Sequence, residues 1–218
     1  ETAVMLLDFD HIIKEFNIKS EGVIHIGAHY GNELYMYLKH EIKNVLMFEP
    51  QEKAFKQLRF NISQINPSYD ARIDIEKTAL GNFKGEVEMF VEKENMGMSS
   101  SILKPEFVSI QYPHITFKNK ERVKIDTLDN YLNDATKIDR DYDFINIDVQ
   151  GYELEVFKGA SRTLEKVNHI ITEVNREELY KGCVKVDELD SFLGEFGFKR
   201  ELTDWEGQTW GDAFYLKR

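Results

Sequence analysis

The sequence has one cysteine, Cys183, and four prolines in 218 residues. A lone thiol cannot close an intrachain disulfide, and no cysteine and histidine group has zinc-site spacing. The fold must therefore rest on its core, and a reducing compartment suits it. Positive charge is also short: 28 lysines and arginines face 39 aspartates and glutamates, giving a formal net charge of −11. That balance repels nucleic-acid backbones and anionic membranes at long range, which excludes both as main partners. No run approaches the ~18 apolar residues of a membrane span, and residues 1–10 lack the basic start and apolar centre of a secretory leader. The expectation is a cytoplasmic protein with no membrane insertion.

At 42% hydrophobic and 31% charged residues the composition is that of a globular protein. The length suits a single domain over 1–218, burying about 70% of the unfolded surface. Met5, Phe9, Ile12, Ile13 and Phe16 recur at helical spacing, predicting an N-terminal helix within residues 1–20. Apolar runs at Val23–Ile26, Asn44–Phe48, Phe144–Ile147 and His169–Val174 read as strands buried on both faces, with helical patterns between them. Ala71–Leu80 reads as one further strand, Glu86–Val91 and Arg122–Asp126 as others, and Phe198–Leu202 with Ala213–Leu216 as a closing pair. Alternation of this kind predicts an α/β fold with a mostly parallel sheet covered by helices on both sides. Residues 92–120 have no sustained period and mix Ser99, Ser100 and Ser101 with Phe107, Tyr112 and Phe117. A loop this long is expected to be a lid or acceptor-binding insert.

In such sheets ligands bind beyond the C-terminal ends of the strands. That rule selects Gly27–Gly31, Glu49, Asp148 and Glu173. In Gly27-Ala28-His29-Tyr30-Gly31 the glycines permit a tight turn and a close backbone approach by a ligand. The dinucleotide fingerprint is absent, which disfavours a nicotinamide dehydrogenase. Glu49, 22 residues after Gly27, can accept hydrogen bonds from ribose hydroxyls; its bland alternative is favourable charge at a helix start. Asp148 and Glu173 are placed to share a pocket, as a general base or as oxygen ligands of a divalent cation. Each could equally be a solvated strand end. His29 and His114 are further base candidates, whereas Cys183 reads as inert. Trp205 and Trp210 can wall a sugar-binding site or simply pack the last hairpin.

The motifs VIHIGAHYG (23–31), FEP (48–50), ALGN (79–82), TLDNYL (127–132), FINIDVQGYELEVFKGA (144–160) and TEVN (172–175) together resemble the FkbM-type family of S-adenosylmethionine-dependent methyltransferases. The resemblance covers nearly all of residues 20–218. It implies a Rossmann-like class I methyltransferase fold with a seven-stranded sheet, and O-methyl transfer to a hydroxyl of a sugar, glycan or related small molecule. It also implies S-adenosyl-L-methionine as cofactor, with Gly27, Ala28 and Gly31 under its methionine part, Glu49 on its ribose, Ala79 and Leu80 along its adenine, and Asp148 beside the reacting centre. His25 stands where members often have aspartate, and is either a cofactor contact or a buried strand histidine. Asp148, Glu173 and His29 are the expected catalytic groups, with a metal at Asp148 and Glu173 left open. Ser99, Ser100, Tyr112, Gln150 and Trp210 are the expected acceptor contacts. A non-catalytic cofactor-binding subunit is the rival reading, and homo-oligomerisation stays open.

Overall fold

A computed structural model describes residues 6–93, 96–133 and 141–218. Met5, the first member of the N-terminal helical pattern, lies outside them, as do residues 94 and 95 of the expected lid. The apolar runs form the centre of a seven-stranded sheet. Its strands β1 (Gly22–Ile26), β2 (Asn44–Phe48), β3 (Arg72–Glu76), β7 (Phe144–Ile147), β8 (His169–Asn175), β9 (Phe198–Glu206) and β10 (Trp210–Lys217) are arranged in the order β3-β2-β1-β7-β8-β10-β9. All neighbours are parallel except β10, which runs antiparallel to both β8 and β9.

Every residue of β1 is buried, because helices cover both faces of the sheet. Ile24 and Ile26 meet α6 (Glu153–Lys158), α7 (Ser161–Leu164) and α8 (Val186–Gly194) through Phe157, Leu164 and Leu189. Val23 meets α1 (Phe9–Glu15), α2 (Leu34–Lys39) and α3 (Glu52–Ser63) through Ile12, Tyr37 and Leu58. Asp8 caps α1 by accepting the backbone N–H groups of Asp10 and His11.

Three expectations need correction. The single strand read over 71–80 is two: after Glu76 the chain leaves the main sheet, and β4 (Ala79–Leu80) joins a second, three-stranded sheet with β5 (Gly85–Val91) and β6 (Asn119–Asp126) in the order β4-β6-β5. The partial alternation of Ile73 and Ile75 in the sequence hid the break, and no glycine or proline marks it. Glu173 does not end its strand, which runs on to Asn175. The segment read as structureless is partly built: Ser101 bridges to Phe90 and Pro105 to Tyr180, and α4 (Val108–Gln111) lies between. Ser99, Ser100 and Ser101 are all buried.

No helix among the described residues is long and apolar enough to cross a membrane. The chain runs outward from β1 through β2 to β3 and returns to β7 on the other side of β1. The reversal leaves a crevice at the C-terminal ends of β1 and β7.

Candidate active site

A cavity of about 520 Å³ occupies that crevice, with Met98, Ser99, Ser100 and Ile115 contributing its roof. Every site residue selected from sequence lines it except Gly31. Gly31 (φ +75°) is needed for packing instead, because a Cβ there would lie 2.5 Å from Leu58 Cδ1 of α3. Gly27 (φ +83°) borders the cavity, yet a Cβ would fall 1.9 Å from the backbone oxygen of Asp148. Its missing side chain makes room for the end of β7, not for a ligand.

Glu49 is 3% exposed. One carboxylate oxygen accepts the His29 N–H at 2.8 Å and the other the Gln51 N–H at 2.8 Å. Burial pushes its carboxyl up to about 7 despite those two bonds. Each oxygen retains capacity for a further donor. His29 takes a left-handed backbone (φ 50° or so is tolerated in such turns; here 47°), stacks on Tyr30, and donates Nε2–H to the Met96 carbonyl at 3.0 Å. Burial lowers its pKa, so only Nδ1 is left to take a proton. Ala79 and Leu80 line the wall beside Phe48.

The acidic side of the cavity is denser than the sequence suggested. The Gln150 amide donates to Asp148 Oδ1 and to Glu173 Oε2, each at 2.7 Å. Glu153, in the first turn of α6, is fully buried, and one of its oxygens accepts the backbone N–H groups of Val149 and Gly151. Its other oxygen, Oε2, is buried with no partner. Asp148, Glu153 and Glu173 each offer a ligand atom within 4.8 Å of the others. Asp212 faces Glu173 across the β8–β10 register. Burial raises all four carboxyls, Glu153 and Asp212 to about 7 and Glu173 well above the usual range; repulsion by Asp148 adds to the shift of those three, whereas at Asp148 itself the hydrogen bonds oppose burial. Asp148 is reached by solvent through the cavity but otherwise enclosed by protein, and the enclosure sets its shift.

These shifts fix a pH dependence of stability. A carboxyl whose folded pKa exceeds its unfolded one stabilises the fold below the unfolded value and loses that contribution as pH rises through the folded value. Glu33, Glu49, Glu153 and Asp212, all at about 7, act in this sense. The ligand-free protein should therefore melt at lower temperature at pH 8 than at pH 5.5, with a slope of up to ~1.4 kcal/mol per pH unit for each group. Scanning fluorimetry at constant ionic strength checks this; a flat or rising melting temperature over that range contradicts it.

Toward the outer end, Trp210 Nε1 donates to the Tyr112 hydroxyl at 3.1 Å, and both line the cavity with His114. Trp205 does not line it and is covered by the Arg176 guanidinium, 3.7 Å from its ring centroid. The Ser100 hydroxyl accepts the Glu92 N–H at 3.2 Å, and Tyr180 donates to the Ser99 carbonyl at 2.8 Å and to Gln150 Oε1 at 3.0 Å. Cys183 is buried and its thiol raised by burial. Sequence reasoning missed Glu33, Glu153, Tyr180 and Asp212. Glu33 had a discernible signal, an acid in the first turn after the glycine loop. The others reach the site through tertiary register alone.

Comparison with known proteins fits this geometry. Residues 25–200 match the methyltransferase FkbM domain. The 2-O-methyltransferase NoeI of Sinorhizobium fredii (strain NBRC 101917 / NGR234) is 26% identical over 180 residues, 80% of this chain and 71% of that protein. The structure of magnesium protoporphyrin IX methyltransferase (ChlM) from Synechocystis PCC 6803, solved with bound SAM, superposes with a TM-score of 0.54 at 10% identity over 96% of this chain and 76% of that one. A SAM-dependent methyltransferase from Aquifex aeolicus gives 0.50 at 14% identity, over 98% and 91%. With a family match across most of its length, the chain belongs to the FkbM family of S-adenosylmethionine-dependent methyltransferases.

Proposed function

We propose that this methyltransferase acts on oxygen, at a hydroxyl of an uncharged or amine-bearing sugar, glycan or related small molecule. The observation that carries the acceptor class is the charge of the cavity: Glu33, Glu49, Asp148, Glu173, Glu206 and Asp212 line it, and among the described residues no lysine or arginine does. A phosphorylated or carboxylated acceptor would meet acids and no cationic side chain there. Trp210 and Tyr112 supply flat apolar faces for a sugar ring. The 2-O-methyltransferase relative supports transfer to oxygen.

The residues fit the cofactor. Glu49 has one open acceptor position on each oxygen for the ribose hydroxyls, and Ala79, Leu80 and Phe48 give an apolar wall for the adenine. The cofactor supplies an electrophilic methyl group on a sulfonium. Asp148 takes the proton from the acceptor hydroxyl while Gln150 holds the carboxylate in place. The surrounding acids favour the cationic sulfonium, and the roof over Ser99 and Ser100 excludes water. The direct test is methyl transfer from labelled cofactor to matched sugars with and without a phosphate. We expect kcat/KM at least about tenfold higher for the uncharged partner; preference for the phosphorylated one overturns the acceptor class.

A second reading is favoured by the unpartnered Glu153 Oε2. Asp148, Glu153 and Glu173 have the donor chemistry for a hard divalent cation, which would lower the pKa of the acceptor hydroxyl. Loss of activity in EDTA, restored by Mg²⁺, selects this reading; indifference to EDTA selects Asp148 acting alone.

Residues 92–120 act as the lid of the acceptor site in this proposal. His29 and Gln51 hold the carbonyls of Met96 and Gly97, so the segment is tied to the cofactor loop. Limited proteolysis should cut it readily in the free protein and slowly when cofactor product and acceptor are both present. Equal cutting in both states removes it from the mechanism.

A further inference from the structure

His25 sits at the centre of the sheet, between Met47 and Asn146 in register, and is 4% exposed. A buried chain of hydrogen bonds fixes its ring. Asn146 Nδ2 donates to the Tyr37 hydroxyl at 2.7 Å, that hydroxyl lies 3.1 Å from His25 Nδ1, and its proton is assigned to the bond with Nδ1. Tyr37 is fully buried, so the relay is not open to exchange partners with water. Burial holds the imidazole neutral, with its pKa pushed down to about 3. A neutral ring that accepts at Nδ1 must carry its proton on Nε2. Among the described residues no acceptor takes that N–H, and the atom is not one of the sealed, unpartnered ones: it opens on the cavity.

Glu33 is the complementary group. It lines the same cavity and lies near enough to Tyr37 and Asp148 to interact with both electrostatically. The inference rests on the function proposed above: with ribose at Glu49 and the sulfonium toward Asp148 as proposed there, the part of the cofactor left to place is its aminocarboxypropyl arm. That arm ends in a carboxylate, which can only accept, and an ammonium, which can only donate. We infer that the arm is read by this pair: the Nε2–H of His25, held by the Tyr37–Asn146 relay, binds its carboxylate, and the Glu33 carboxylate binds its ammonium. His25 is then a specificity-determining contact, and Tyr37 and Asn146 are positioning residues that set its tautomer.

The test uses the full chain and three ligands: S-adenosylhomocysteine, its analogue without the carboxylate, and its analogue without the amino group. Calorimetry should show the wild-type protein losing about 10- to 100-fold in affinity with either analogue, the range expected for a hydrogen bond to a charged group. In His25→Ala the loss on removing the carboxylate should shrink to within about threefold, while the loss on removing the amino group persists. Glu33→Gln should show the reverse pattern. His25→Gln, whose amide N–H reaches the position of Nε2, should keep the carboxylate discrimination and guards against a folding artefact. Tyr37→Phe should reduce that discrimination with the imidazole still present, an effect that a merely structural role would not produce. The same carboxylate ratio in wild type and His25→Ala, with both folded by circular dichroism, overturns the inference. So does an amino-group ratio that follows His25 instead of Glu33.

Discussion

Asp148→Asn is expected to lower turnover by about 10² to 10⁴ while leaving cofactor affinity within a few-fold, because it keeps the shape of the site and removes the base. The asparagine Oδ1 can still accept from Gln150, and its amide can donate to Glu173, so the local network survives. Stability should move the other way. Asp148 repels Glu153, Glu173 and Asp212, and removing its charge should raise the melting temperature at pH 8 more than at pH 5.5. Single-turnover kinetics with saturating cofactor and a paired melting series check both halves. Turnover within a few-fold of wild type would take Asp148 out of the chemical step.

Glu49→Ala should weaken cofactor binding by about 10- to 100-fold, the loss expected when a charged acceptor of hydroxyl bonds is removed. It should also cost stability. The carboxylate satisfies the backbone N–H groups of His29 and Gln51, and a buried donor left without an acceptor costs about 1 to 3 kcal/mol. Relief from burying a carboxyl held at about 7 offsets part of this above neutral pH, so the deficit in melting temperature should narrow from pH 5.5 to pH 8. Calorimetric titration with S-adenosylhomocysteine decides the binding half: unchanged affinity would mean that the ribose lies elsewhere.

What the sequence showed and what it hid follow from the range of each signal. Strands buried on both faces are near-continuous apolar runs, so β1, β2, β7 and β8 were legible as strings of letters, and the acids at or near their ends marked the crevice. The second sheet was not legible, since β4 is a two-residue strand whose pairing with β6 is a fact of tertiary register. Gly31 shows the same limit: its φ of +75° bears out the tight turn, but a glycine beside Leu58 and one beside a ligand look alike until α3 is in place. Glu153 sits where a helix-start acid is expected, and only burial reveals it as part of a carboxylate cluster. Asp212 lies in a strand beyond the last recognisable motif, and its position opposite Glu173 needs the antiparallel return of β10.

The place of β10 bears on how the protein is made. It is the last strand in chain order but an interior strand of the sheet, flanked by β8 and β9. During synthesis β8 must wait with an open edge until Trp210–Lys217 has left the ribosome, since β9, made earlier, touches the sheet only through β10. Trp210 and Asp212 join the lining of the cavity in that same event. A nascent chain stalled before residue 210 would have its glycine loop and Glu49 translated while β8 still lacked its antiparallel neighbour, so the two sides of the cavity are made at different moments of translation.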